Sequence, residues 1–106
     1  MKNFTLGENR SQVMDMIADR NIKVVLLGST RICISRVGEV FYAFETHCPH
    51  RKAELKQGMV TSFGEIVCPL HEYRFDMQTG DVKSGSCGEL KTYRVELTEN
   101  GLKIFI

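Results

Sequence analysis

The sequence predicts an all-β fold with one short helix near the N-terminus and a loop-rich middle. Two observations carry this. Strand-length apolar or alternating runs occupy residues 22–44 and 92–106, and turn residues separate them. Between them, residues 45–90 hold both prolines and most of the glycines with only weak alternation. That middle is expected to be loops carried on a β scaffold, which holds functional groups in place.

Taken in order, residues 11–19 (SQVMDMIAD) put Val13, Met14, Ile17 and Ala18 at helical spacing, with Ser11 as the expected N-cap. Residues 22–27 form a strand-length apolar run closed by Gly28-Ser29. Residues 31–36 alternate, with Ile32 and Ile34 on one face, and Val37-Gly38-Glu39 turns the chain into residues 40–44. Near the C-terminus Tyr93, Val95 and Leu97 alternate with Thr92, Arg94 and Glu96. Asn100-Gly101 is a hairpin signal, and Leu102, Ile104 and Ile106 form the returning strand. Short strands with turns between them point to a sandwich or partial barrel.

A chain of 106 residues is expected to form one domain, residues 1–106. Its 14 basic and 13 acidic residues leave a net charge of +1, and no basic block exceeds two adjacent residues. A general nucleic-acid or membrane-surface binder is therefore not expected. The longest aliphatic run, Val24-Val25-Leu26-Leu27, is far short of the ~20 residues that span a bilayer. The opening MKNFTLGENR lacks the apolar core of a secretory signal. A cytoplasmic location is expected, where clustered cysteines stay reduced and serve metals or catalysis.

The stretch 48–71 (CPHRKAELKQGMVTSFGEIVCPLH) holds two mixed pairs, Cys48-x-His50 and Cys68-x-x-His71, separated by 17 residues. Two thiolates and two imidazoles suit a tetrahedral zinc. They also suit a [2Fe–2S] cluster with two cysteines on one iron and two histidines on the other. One cysteine and one histidine from each loop fit the second arrangement better, because a single zinc has no need of that division.

CPH at 48–50, CPLH at 68–71, RFD at 74–76 and TG at 79–80 resemble the soluble Rieske [2Fe–2S] ferredoxins. VFYAFE at 40–45 and the closing hairpin extend the likeness over nearly the whole chain. The resemblance implies stacked antiparallel sheets, three in number, with a cluster-binding subdomain at about 45–90. It implies one cluster per chain, with Cys48 and Cys68 on the inner iron and His50 and His71 on the outer iron. High-potential relatives join their two loops by a disulfide, but the matching positions here are Ala53 and Leu70. Those relatives also carry a serine and a tyrosine hydroxyl where this chain has Tyr73 and Phe75. The branch implied is the low-potential one that serves oxygenases. Many of its members have glycine after the second histidine, whereas this chain has Glu72, a charge expected to lower the potential and alter partner choice.

The resemblance therefore implies a one-electron carrier without turnover of its own, passing electrons from a flavin-containing ferredoxin reductase to a terminal oxygenase. The competing expectations are the small Rieske-like subunit of an NADH-dependent nitrite reductase and, from another class, a zinc-stabilised interaction module. Among the remaining candidates, His47 is expected in a solvent or loop-packing role and Cys33 as a core thiol. Cys87, a loop residue in SGSCGE, is expected to pack or to support the site from a distance without being a ligand. Arg51, Lys52 and Arg74 either dock an acidic partner or form a solvated rim.

Overall fold

The computed structural model describes residues 2–49, 53–70, 72–85 and 88–106. The expected apolar runs become β2 (Ile22–Leu27), β3 (Thr30–Val37) and β4 (Val40–Phe44), joined by the predicted turns. The C-terminal alternation becomes β9 (Thr92–Thr98) and β10 (Gly101–Phe105). Glu99 and Asn100 form the tip of this hairpin, and Gly101 already pairs with Thr98, one residue earlier than the Asn-Gly signal suggests. An unforeseen strand, β1 (Asn3–Leu6), lies along β10 with Asn3 opposite Phe105 and Leu6 opposite Leu102.

The helix α1 spans Arg10–Met16, not 11–19, and Asn9 replaces Ser11 as its cap. The Asn9 side chain accepts from the Gln12 N–H at 2.8 Å, while the Gln12 side chain accepts from the Glu8 N–H at 2.6 Å. This reciprocal arrangement satisfies two N–H groups at the helix start. The helix stops early because the Arg36 guanidinium donates to the carbonyls of Met14, Ile17 and Gly38. Of these, the Met14 carbonyl is an acceptor that a helix reaching residue 19 would have used itself.

The middle segment departs most from expectation. It carries four strands of its own: β5 (Met59–Val60), β6 (Glu65–Val67), β7 (Arg74–Asp76) and β8 (Val82–Ser84). At two or three residues each they are too short to show a period of two. They pair as an antiparallel sheet in sequence order, and the other six strands form a second sheet ordered β1-β10-β9-β4-β3-β2. Within the larger sheet β4 meets β9 only at Ala43–Tyr93 and Phe44–Thr92. The six strands thus behave as two three-stranded halves on a narrow junction. With the four-stranded sheet, they account for the three sheets the resemblance implied.

Strand β3 is buried on both faces. Ile32 and Ile34 point into a core with Val13, Ile17, Phe41, Leu102 and Ile104. Cys33 points the other way, into a core with Phe44, Cys48, Leu55, Ile66, Cys68 and Phe75. Alternation along one strand therefore makes β3 the wall between the scaffold core and the core beneath the loops. The only buried polar side chain among the described residues is Ser35, whose hydroxyl donates to the Asn21 carbonyl at 2.7 Å.

Cys33 is fully buried, and that burial pushes its thiol up to about 12, Lys56 opposing and Glu54 reinforcing the shift. The folded state keeps this thiol protonated where the unfolded chain ionises it near 9.0. Its contribution to stability is complete below pH 9 and is lost as pH rises through about 12. Urea unfolding of the wild type should therefore weaken faster than that of Cys33→Ala above pH 9, by up to about 1 kcal/mol per pH unit. Parallel curves for the two proteins would show that the thiol is not held neutral.

Candidate metal centre

Two loops with the same closure rise from the strands. In the first, the Leu55 N–H donates to the Thr46 carbonyl at 2.9 Å, His47 bridges Glu54, and the Cys48 N–H donates to the Ala53 carbonyl at 2.8 Å. In the second, Val67 pairs with Arg74 at the end of the β6–β7 hairpin, and the Cys68 N–H donates to the Tyr73 carbonyl at 2.7 Å. Each cysteine therefore heads a tip of four residues and is locked to the carbonyl five positions on. Each tip begins with proline, which restricts the chain immediately after the cysteine.

Cys48 and Cys68 are both fully buried and share one core with Phe44, Leu55, Ile66, Phe75, Met77 and Leu90. Ala53 and Tyr73, the two closing residues, pack against that core. The other two expected ligands, His50 and His71, lie outside the described residues, as do Arg51, Lys52 and Cys87. Among the described residues no three or more His, Cys, Asp or Glu side chains gather into a metal site. The structure thus brings together the two expected sulfur donors.

The loops are held in register by a backbone contact that the sequence reading missed. After the first loop the chain makes a 3-10 turn, Leu55–Gln57, and Gly58 then donates its N–H to the Leu55 carbonyl at 2.9 Å. A Cβ on Gly58 would fall 2.2 Å from the carbonyl oxygen of Val67, the residue before Cys68. The exit of one loop thus lies directly on the base of the other. Gly58 has φ −84, an ordinary value for any residue, so close approach explains its being glycine. No single-sequence signal distinguishes such a glycine from one in a turn.

The RFD and TG motifs prove to be architectural. The Asp76 carboxylate accepts from the N–H groups of Gln78 at 2.8 Å and Thr79 at 3.0 Å. Partial burial alone would raise this carboxyl, but those N–H groups, with Lys83 nearby, hold it below the ordinary carboxylate range. Gly80 follows at φ 82, and its carbonyl accepts from the Leu90 N–H at 2.9 Å. The turn carries the chain back across the small sheet, where Gly85 packs so closely on Tyr73 that a Cβ would stand 2.3 Å from the ring.

Other residues have simpler roles. His47 is exposed, with its Nδ1 2.9 Å from the Thr46 hydroxyl, in keeping with a loop-packing role. Arg74 pairs with Glu65 at 3.6 Å, so the small sheet itself engages it. The Glu45 side chain accepts from the Lys91 N–H at 2.6 Å and ties the start of the first loop to the strand entering β9.

Replacing Gly58 by alanine tests the register. The variant should lose roughly 2 kcal/mol or more of stability, since backbone must move to admit the methyl. It should also lose iron content in parallel, read from visible absorbance and metal analysis. A variant with wild-type stability and iron would remove this contact from the account.

Comparison with known proteins agrees with this geometry. A model of the Rieske [2Fe-2S] domain matches residues 10–94. Ferredoxin CarAc of Metapseudomonas resinovorans is 35% identical over 79 residues, 73% of this chain and 72% of that protein. The ferredoxin of carbazole 1,9a-dioxygenase from Nocardioides aromaticivorans IC177 shares the fold with a TM-score of 0.82 at 23% identity, covering 98% of this chain and 97% of that one. A chain in a complex of reduced oxygenase and oxidised ferredoxin in carbazole 1,9a-dioxygenase matches with a TM-score of 0.79 at 27% identity, covering 96% and 91%. A family match over most of the chain, joined to two buried cysteines at the roots of matching loops, places the protein in the Rieske [2Fe–2S] domain family.

Proposed function

We propose that this chain is the one-electron carrier of an oxygenase system, accepting an electron from a flavin-containing reductase and delivering it to a terminal oxygenase. We assign Cys48, His50, Cys68 and His71 as the ligands of its cluster. The observation that carries this reading is the burial of Cys48 and Cys68 in one core at the roots of two equally closed loops. Relatives named as ferredoxin components of dioxygenase systems support it, as does a similar chain solved in complex with its oxygenase. The donor chemistry fits: two buried thiols suit the inner side of the site, and each tip adds one imidazole by sequence. When bound, the cluster supplies a centre that gains and loses one electron.

The chain's own residues do the rest. The paired N–H bonds of Cys48 and Cys68 hold both loops in one geometry, so little rearrangement accompanies a change of charge. Phe44, Leu55, Ile66 and Phe75 exclude water from the cysteine side. Pro69 and Leu70 are exposed and offer an apolar contact surface beside the site. No helix among the described residues is long and apolar enough to cross a membrane. We read residues 1–106 as a single domain working in the cytoplasm, with the subdomain at about 45–90 mounted on the six-stranded sheet.

Low-temperature EPR of the dithionite-reduced protein, with iron counted on the same sample, tests this. A rhombic signal with roughly two irons per chain is expected. Cys48→Ser or Cys68→Ser should abolish it, whereas Cys33→Ser, altering a third cysteine of the same core, should keep it. A silent spectrum with about one zinc per chain would sink the electron-carrier reading. The buried Phe75 brings no hydroxyl to the core it shares with both cysteines. Phe75→Tyr should therefore raise the reduction potential, by about 60 mV for every 1.4 kcal/mol by which a new hydrogen bond favours the reduced form. A potential unchanged or lowered in the folded, iron-loaded variant would show that position 75 does not tune the centre.

A further inference from the structure

Glu72 holds the second loop in an unusual way. Its φ is 55, in the left-handed region that favours glycine, and the only other described non-glycine residue with positive φ is Arg20. A side chain with a Cβ is disfavoured there, and glutamate lacks the short polar group that lets asparagine or aspartate settle in that region. The fold compels the conformation, because residue 72 is the last of the tip before Tyr73 accepts from the Cys68 N–H at 2.7 Å. Glycine would adopt it without strain.

The side chain has no internal task that explains its presence. Glu72 is exposed, and among the described residues it forms no ion pair or hydrogen bond. It stands two residues from Leu70, which is 40% exposed, with Pro69 also exposed in the same tip. A solvated carboxylate beside an apolar contact surface matches a partner surface that sets a cationic side chain next to an apolar one.

We propose that Glu72 is a specificity-determining residue: its carboxylate, with the exposed Pro69 and Leu70, makes the second loop selective for an electron partner that presents a cationic side chain there. This rests on the reading that electrons pass through this tip, and goes beyond it by naming the partner's charge. The strain and the charge are separable. Glutamine keeps the strain and removes the charge, glycine removes both, and aspartate keeps the charge with less strain.

The test oxidises reduced holoprotein in a stopped-flow instrument with two small one-electron oxidants of opposite charge. One is tris(phenanthroline)cobalt(III), a trication reduced to cobalt(II); the other is ferricyanide, a trianion reduced to ferrocyanide. In each case one electron leaves the protein and no bond is made or broken. A change in reduction potential moves both rates in the same direction, so their ratio reports the local charge alone. Charges elsewhere on the tip are common to every variant and cancel in the comparison.

At ~10 mM salt, Glu72→Gln should lower the ratio of the cation's rate to the anion's about tenfold. Glu72→Gly should do the same with unchanged or higher thermal stability, and Glu72→Asp should keep the wild-type ratio. At 1 M salt, where the screening length is only ~3 Å, the ratios should converge. Equal ratios for wild type and Glu72→Gln at low salt would overturn the inference and leave Glu72 a tolerated surface residue. A wild-type protein that cannot be reduced by one electron would fail the carrier reading itself, and this inference with it.

Discussion

The arrangement of the tip depends on one contact between backbones, Gly58 lying against the carbonyl of Val67. The hydrogen bonds that close the loops are local to one loop or the other, and only the core beneath them also joins the two. The Cys48–Ala53 and Cys68–Tyr73 bonds close the loops separately, and neither relates one cysteine to the other. Gly58 does so because it follows the first loop within a few residues and touches the residue just before Cys68. The pairing of β5 with β6, Met59 opposite Val67 and Val60 opposite Ile66, continues that contact into a sheet.

The loop closures alone are too weak to order the tips. A backbone hydrogen bond contributes a net of about 0.5–1.5 kcal/mol. Fixing four tip residues costs roughly 1–2 kcal/mol each. The proline after each cysteine narrows that gap by restricting the unfolded chain. The larger offset is the core shared by Cys33, Phe44, Cys48, Leu55, Cys68 and Phe75, to which bonds from a loaded centre would add. The site is thus built from its buried side outward, and the tips inherit their position from the core beneath them.

The double burial of β3 explains how a small chain supports this. One alternating strand serves the scaffold core through Ile32 and Ile34 and the loop core through Cys33. The narrow junction at Ala43–Tyr93 and Phe44–Thr92 lets the two halves of the large sheet curl around the scaffold core. The loop core is left free to take its shape from the smaller sheet. Scaffold packing and the core beneath the two loops therefore occupy different faces of the same strand.

The sequence by itself determined the spacing of the two Cys–His pairs, the two prolines, the strands β2, β3, β4, β9 and β10, and the presence of a short N-terminal helix. These are signals of near neighbours in the chain, written in periods of two or 3.6 and in fixed offsets between cysteine and histidine. Only the tertiary structure decided the rest. Strands β5 to β8 are too short to carry a period, so their pairing follows from contacts between segments. Asn9 displaced Ser11 as the cap, and Arg36, some twenty residues away, set where the helix ends. Gly58 looks like any loop glycine until the Val67 carbonyl is placed beside it. Glu72 looks like an ordinary exposed acid until the loop closure puts it at positive φ. In each case the deciding partner is remote in sequence or the deciding quantity is a backbone angle, and neither is written in the local pattern of residues.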